Sequence, residues 1–531
     1  MTRPTVSQAE AWRPDSLREA ADDWFAAATD IHASVDIAVR DVESTHEFWT
    51  GSAAEAARAH ALEHGHASDA LARAMVMAAV AARDGAEQIA SARADVLDLV
   101  AIARSEGFRV GDDGSVSVGD DPSPLLVALS GGDAAVARDM LAVRAVELSR
   151  QIIEALDRLG AADADAANDI TEAFASSPVP GAVPTVPAGA WPVQAADVVA
   201  GWPAMSQDRI SAQVGAMTPE GRERLIAEFP RQVGNTDGVP WDMRVAANRI
   251  NIAQAIIDAD DPGRVQFYRS LLGEVDDPAG GGRRVDRQIL AFDPGRASLV
   301  ELNGNLSKAT SVAVLVPGLN TTIEGSAANS QTARRFVAAT RGDVATITYL
   351  GGPFPRGNPV AGLVDAADPR YALDMGPRLV AFSEDVDRTV DATGRSVPVT
   401  YIGHSYGGSI LGTAEALGMT ADRTLYVAAA GAGVGVDDPG DWHNRNPHVL
   451  RFSMTAPGDF IQAVQGIPGG PHGADPDEMP GVIPLATGYY DDGRLMAGPD
   501  AHSDVLNWPS DSWRNILAVI TGDRERIQVA G

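Results

Sequence analysis

The sequence predicts an α/β protein, a mostly parallel sheet flanked by helices, preceded by an all-α helical-hairpin domain. Three observations predict it. Beyond Gly280, strand-like runs alternate with helical ones, the pattern of a parallel sheet covered on both faces. One of those strands runs into Gly403-His404-Ser405-Tyr406-Gly407, and a helical run follows at once. Near the start of the chain, apolar residues instead recur at heptad-like spacing in narrow seams, which suit antiparallel helix pairing.

Residues 15–104 read as two long helices. The first carries Trp24, Ala28, Ile31, Val35, Ala38, Val42 and Trp49. The second carries Leu71, Met75, Ala78, Ala82, Ile89, Ala92, Val96 and Leu99, with Gly85 in its seam. Between them, Phe48-Trp49-Thr50-Gly51-Ser52 is the turn, where Gly51 permits the bend and Ser52 is the expected cap. Residues 107–119 suggest a β-hairpin around Gly-Asp-Asp-Gly. Asp133 is placed to cap a third helix that runs to about residue 159, breaks at Gly160 and resumes towards Phe174. The expected division is a helical domain over 1–175, a proline-rich linker over 176–194, a helical lead-in over 195–280 and the α/β domain over 281–531. Within the last, strands are expected at 288–292, 298–302, 311–317, 343–350, 397–402, 423–429 and 448–454. Helices are expected at 331–340, 371–393 and 407–417, with a closing helix over 503–522.

Composition narrows the function. A chain of 531 residues is too long for one core. Its net charge of −30 argues against nucleic acid and anionic lipid as partners. The absence of cysteine excludes disulfides, thiolate metal sites and cysteine nucleophiles. The opening MTRPTVSQAEAWRPDSLREAADDWF lacks the apolar core of a signal peptide, and the best apolar run, 74–82, is bracketed by Arg73 and Arg83. No transmembrane segment is expected. The expectation is a cytoplasmic protein, or one exported without a cleavable leader. His60, His64 and His66 include a pair at a spacing that zinc can use, but no third ligand completes the set. Asp475, Asp477 and Glu478 lack the glycine-centred pattern of a calcium loop. No metal and no cofactor is expected.

The chemistry gathers around Ser405. A G-x-S-x-G segment between a strand and a helix is a nucleophile elbow, so sharply bent that the positions two before and two after the serine nearly touch. Gly403 and Gly407 supply the small residues this requires. A serine hydroxyl needs a base held by an acid, and in the α/β-hydrolase fold the chain order is serine, carboxylate, histidine. Asp459 follows the strand over 448–454 and His502 precedes the closing helix, so both stand where that order needs them. Asp437 and Asp438 are rival acids, and His472, in a loop able to fold over the site, is a rival base. The oxyanion donors expected are the backbone N–H of Tyr406 and that of Leu319, in Pro317-Gly318-Leu319-Asn320, with Asn320 the second choice.

The chain carries two resemblances. Val233-Gly234-Asn235-Thr236-Asp237-Gly238-Val239-Pro240, Ala246-Ala247-Asn248-Arg249, Val316-Pro317-Gly318-Leu319-Asn320, Gly403-His404-Ser405-Tyr406-Gly407 and His472-Gly473-Ala474-Asp475-Pro476 resemble an actinobacterial α/β-hydrolase family catalogued as a domain of unknown function. The resemblance covers roughly residues 200–525. It implies a serine hydrolase acting on a small-molecule ester without a cofactor, with Ser405, Asp459 and His502 as the catalytic residues. The N-terminal hairpin resembles the WXG-type helical proteins of type VII secretion through Trp49-Thr50-Gly51. That implies pairing with another helical hairpin or self-association, and export by the type VII route. The alternative it carries is a secretion-associated effector or interaction protein with a degenerate or toxin-type hydrolase domain. The family's tyrosine-and-acid signal is missing, since no tyrosine precedes Tyr268.

Overall fold

The computed structural model describes residues 3–45, 49–119, 127, 133–175, 195–357, 367–465 and 470–530. Phe48 of the expected turn and the proline-rich linker over 176–194 lie outside them. The chain divides into two compact units, Met1–Ala188 with Ala253–Gly273 and Gly189–Ile252 with Glu274–Gly531. The segment read as a helical lead-in is therefore shared between the two.

In the first unit the expected hairpin forms from helices Pro14–Ser44 and Ser52–Ser105. Gly51 caps the second with φ 107°, a conformation open to glycine at little cost. Ser52 is already helical, and the cap makes no side-chain hydrogen bond. The seam also differs in detail. Ala38 is exposed and Trp49 is 41% exposed, whereas Val35 and Val39 face Gly65 across the pair. A third helix, Ala134–Ala175, runs unbroken through Gly160. A helical glycine costs about 1 kcal/mol relative to alanine, which burial of Leu148, Ile152, Leu156 and Leu159 along the same helix outweighs. Asp133 caps this helix as expected, accepting the Ala135 N–H at 2.8 Å. Gly85 lets the third helix approach closely: a Cβ there would sit 2.4 Å from Ala166 Cβ. Helix Ser52–Ser105 thus serves two neighbours, which is why Ala74 and Val76 to Val80 are all buried. Strands β1 (Phe108–Val110) and β2 (Val116–Val118) form the expected antiparallel hairpin. Helix Pro262–Leu272 falls within the span expected to be helical, 195–280.

The second unit opens with helices, the longest of which, Trp241–Asp258, begins in it and ends in residues of the first unit. Its residue Arg244 is almost fully buried and reaches the Leu290 carbonyl at 2.8 Å, Asp237 at 2.9 Å and Asp385 at 2.7 Å. Asn248 donates to the carbonyls of Gly234 and Ile289. A Cβ on Gly234 would meet Asn248 Oδ1 at 2.3 Å, so glycine is required there. These contacts bind the helical segment to the edge of the sheet. They also explain the company kept by Gly234, Asp237 and Asn248 in the sequence.

A small antiparallel hairpin, β3 (Glu274–Asp276) and β4 (Arg284–Asp286), precedes the main sheet. The strands of that sheet are β5 (Gln288–Asp293), β6 (Ser298–Asn303), β7 (Ser311–Val316), β8 (Val344–Leu350), β9 (Val399–His404), β10 (Arg423–Val427), β11 (Leu450–Met454) and β12 (Val482–Pro484). Among the described residues it has eight strands in the order β12-β11-β10-β9-β7-β8-β6-β5. Strand β6 is antiparallel to both its neighbours and every other pair is parallel. This is the α/β-hydrolase fold.

Between β7 and β9 the connections diverge. The chain leaves β7 for helix Ala327–Ala339 and β8 on one side, and leaves β9 for helix Tyr406–Ala416 and β10 on the other. Ligands in open α/β sheets bind at such a switch point, beyond the C-terminal strand ends. Two expectations change nearby. The closing helix is two helices, Ala501–Asn507 and Asp511–Thr521, because Pro509 supplies no N–H and Ser510 caps anew, accepting from Trp513. His502 consequently lies inside the first of these, not ahead of it. Strand β12, three residues ending in proline, was not anticipated.

Candidate active site

Strand β9 delivers Ser405 at the switch point, with φ 56° and ψ −123°. A positive φ is strained for a residue with a Cβ and needs surroundings that impose it. They do so through the backbone. The Ser405 N–H donates to Val427 O, and Ser405 O accepts from Gly408 and Ala430, each at 3.0 Å. The flanking glycines are sterically required. A Cβ at Gly403 would lie 2.5 Å from Gly407 O, and one at Gly407 would lie 2.1 Å from Val316 O. Ser405 itself is buried.

Asp459 stands after β11, buried, and caps the turn Phe460–Ala463 by accepting the Ile461 N–H at 2.9 Å. His502 Nδ1 lies 3.0 Å from each oxygen of that carboxylate. The two loops are tied by Gly498, whose N–H donates to Pro457 O at 2.8 Å. An imidazole whose Nδ1–H is held by a carboxylate presents Nε2 as its acceptor. Among the described residues, the side-chain hydrogen bonds of His502 go to Asp459 and none goes to Ser405. Ser405 and His502 are linked instead through His404, whose ring Nε2 lies 2.7 Å from the His502 carbonyl.

On the opposite side lies the loop after β7, the third strand of the sheet in chain order. A Cβ at Gly318 would stand 2.7 Å from Ser405 Cβ and 3.1 Å from Ser405 Oγ, so this loop borders Ser405. Of the two amides considered there, Asn320 is already engaged: its N–H donates to Pro355 O at 2.9 Å. The Leu319 and Tyr406 amides make no hydrogen bond to a described residue. Asn320 has a left-handed φ of 64° and exchanges two 2.9 Å side-chain hydrogen bonds with Gly357.

The rival residues are occupied elsewhere. Asp437 and Asp438 are exposed, and Asp438 caps a short turn over 439–441. His472 is buried with Nδ1 2.9 Å from Ser409 Oγ, and its carbonyl accepts the Gly433 N–H. It packs the loop against helix Tyr406–Ala416, in edge contact with the Tyr406 ring. In the same loop Asp475 is half-buried and accepts the Asp477 N–H, serving the turn.

Sequence reasoning passed over His404, Phe460 and the side chain of Asn320. His404 is half-buried; desolvation, with the charge of His502 beside it, pushes its pKa down to about 4. Its only signal was its place inside the elbow motif. Phe460 lies against the His502 ring, and its only signal was adjacency to Asp459.

Residues 293–468 match the alpha/beta hydrolase family. The match takes in Ser405 and Asp459 and ends before His502. Two uncharacterized proteins of Mycobacterium tuberculosis, MT2140 of strain CDC 1551 and Rv2079 of strain H37Rv, are each 30% identical over 266 residues. The similarity takes in 41% of this chain and 38% of either relative, so the chain spans less than half the length of these relatives. No helix among the described residues is long and apolar enough to cross a membrane.

Proposed function

We propose that this protein is a serine hydrolase, a carboxylic-ester hydrolase working through an acyl-enzyme. The observation that carries the reading is the His502–Asp459 pair, tied through His404 to a strained Ser405 at the switch point of the sheet. The match to the alpha/beta hydrolase family supports a hydrolase in general terms. In this reading Ser405 Oγ attacks the ester carbonyl while His502 Nε2 takes its proton. Asp459 holds the imidazole in the Nδ1–H tautomer and stabilises the imidazolium. Negative charge on the carbonyl oxygen is received by the Leu319 and Tyr406 amides, each such donor being worth about 3–4 kcal/mol in the transition state. The proton then passes to the departing alcohol, and water repeats the sequence on the acyl-enzyme.

The test is labelling of the purified chain by a fluorophosphonate, with short p-nitrophenyl esters as substrates. Labelling is expected in the wild type and lost in Ser405→Ala. Asp459→Asn is expected to lower kcat by roughly ten-thousandfold, because the carboxamide favours the wrong tautomer. Equal labelling of wild type and Ser405→Ala would place the nucleophile elsewhere and sink the reading.

A further inference from the structure

Phe460 follows Asp459 directly and opens the turn Phe460–Ala463. Its backbone is fixed on both sides, by the Asp459 N–H on Ala456 O and by the Asp459 carboxylate on the Ile461 N–H. The side chain lies against the His502 imidazole, ring centroids 4.4 Å apart and planes tilted by 41°. Yet 47% of the residue is exposed. A lone exposed apolar side chain on a protein surface is ordinary. This one touches the ring to which the serine-hydrolase reading gives the proton. Among the described residues the other ring beside His502, that of His404 at 5.2 Å, is the more buried of the two. Phe460 is therefore the open wall of the imidazole.

On the serine-hydrolase reading, on which this inference rests, acylation forms the Ser405 Oγ–carbon bond and breaks the carbon–oxygen bond to the alcohol. The serine proton travels through His502 Nε2 to the departing alkoxide. The alcohol oxygen must then come within about 3 Å of that nitrogen, and the rest of the alcohol must extend past whatever covers His502 on its open side. We propose that Phe460 is the contact for the alcohol half of the ester, and that the preferred substrates are esters of uncharged, apolar alcohols, aromatic or medium-chain alkyl. The net charge of −30 acts in the same direction, disfavouring an anionic alcohol group.

The experiment compares ethyl butyrate with benzyl butyrate, whose acyl halves are identical and whose alcohols are similar leaving groups. In Phe460→Ala, kcat/KM for the benzyl ester should fall on the order of tenfold, while that for the ethyl ester stays within about twofold. Phe460→Leu should recover part of the loss. Fluorophosphonate labelling of Ser405 expels fluoride and no alcohol, so it should keep its wild-type rate in both variants. With labelling intact, an equal fall for both esters, or no fall for either, overturns the alcohol contact and leaves the hydrolase reading standing. A slower labelling rate marks a structural role on His502 and also overturns it, as does a labelled wild type that cleaves neither ester. A wild type that is not labelled, or labelling that survives Ser405→Ala, overturns the hydrolase reading and this inference together.

Discussion

His404 donates its ring Nε2–H to the backbone carbonyl of His502 across 2.7 Å. The residue that precedes the serine therefore holds the first turn of the helix that carries the histidine. Replacing it should loosen His502 without touching substrate. For His404→Ala we expect kcat to fall on the order of tenfold to a hundredfold, with KM little changed, as for a displaced catalytic group. His404→Gln, which keeps a donor, should recover part of the rate. Steady-state kinetics on a p-nitrophenyl ester distinguishes this from a loss of binding, which would appear in KM.

The same residue gives stability a dependence on pH. An unfolded histidine titrates near 6.5, whereas burial and the nearby His502 push folded His404 down to about 4. Between those values the unfolded chain binds a proton that the folded chain refuses. Stability is thus full above the unfolded pKa and declines as pH falls from 6.5 towards 4, by about 2 kcal/mol at pH 5. Urea melts of wild type and His404→Gln at pH 7 and pH 5 check this. The variant should show a smaller loss by about that amount, and equal losses would remove His404 as the source.

Much of this site was legible because its demands are local. An elbow needs small residues two positions either side of the nucleophile, and Gly403 and Gly407 declare it. The chain order from Ser405 through Asp459 to His502 follows from how strands succeed one another in a sheet. What stayed hidden depends on long-range contacts or on fine competition between local terms. The reach of Arg244 to Asp385 spans well over a hundred positions, and no periodicity announces it. The unbroken helix through Gly160 reflects burial outweighing a local preference, while the break at Pro509 is a local rule overlooked inside a longer apolar pattern. The placement of Val39 in the helical seam where Ala38 was expected is the ordinary drift between a heptad and the true helical repeat.

Asn320 should govern the loop proposed to receive the oxyanion, from one position along. Its N–H and side chain fasten the loop to Pro355 and Gly357, while its left-handed φ suits only asparagine, aspartate or glycine well. Asn320→Ala removes the side-chain bonds and strains the backbone; Asn320→Gly removes the bonds alone. We expect kcat to fall in both, more in alanine than in glycine, with the difference worth about 1 kcal/mol, or roughly fivefold. Turnover of a p-nitrophenyl ester by the two variants checks the order, and an alanine variant as active as glycine would show that the backbone geometry is not limiting.

Gly407 offers the sharpest steric test, because its missing side chain faces backbone rather than a movable group. A Cβ there would stand 2.1 Å from Val316 O and 2.5 Å from Pro317 O, on the strand and loop that border Ser405. Neither carbonyl can retreat without shifting β7 against β9, whose ladder pairs Val316 with Gly403. Gly407→Ala should therefore cost at least about 3 kcal/mol of stability, through overpacking in a rigid region. Gly440 is the matched control: a Cβ there meets nothing within 4 Å and its φ is unexceptional, so Gly440→Ala should leave the melt within about 0.5 kcal/mol of wild type. Thermal and urea melts of the two variants decide it. If Gly407→Ala melts with the wild type, the elbow has slack that its hydrogen bonds to Val427 and Ala430 do not suggest, and Ser405 would owe its positive φ to those bonds alone.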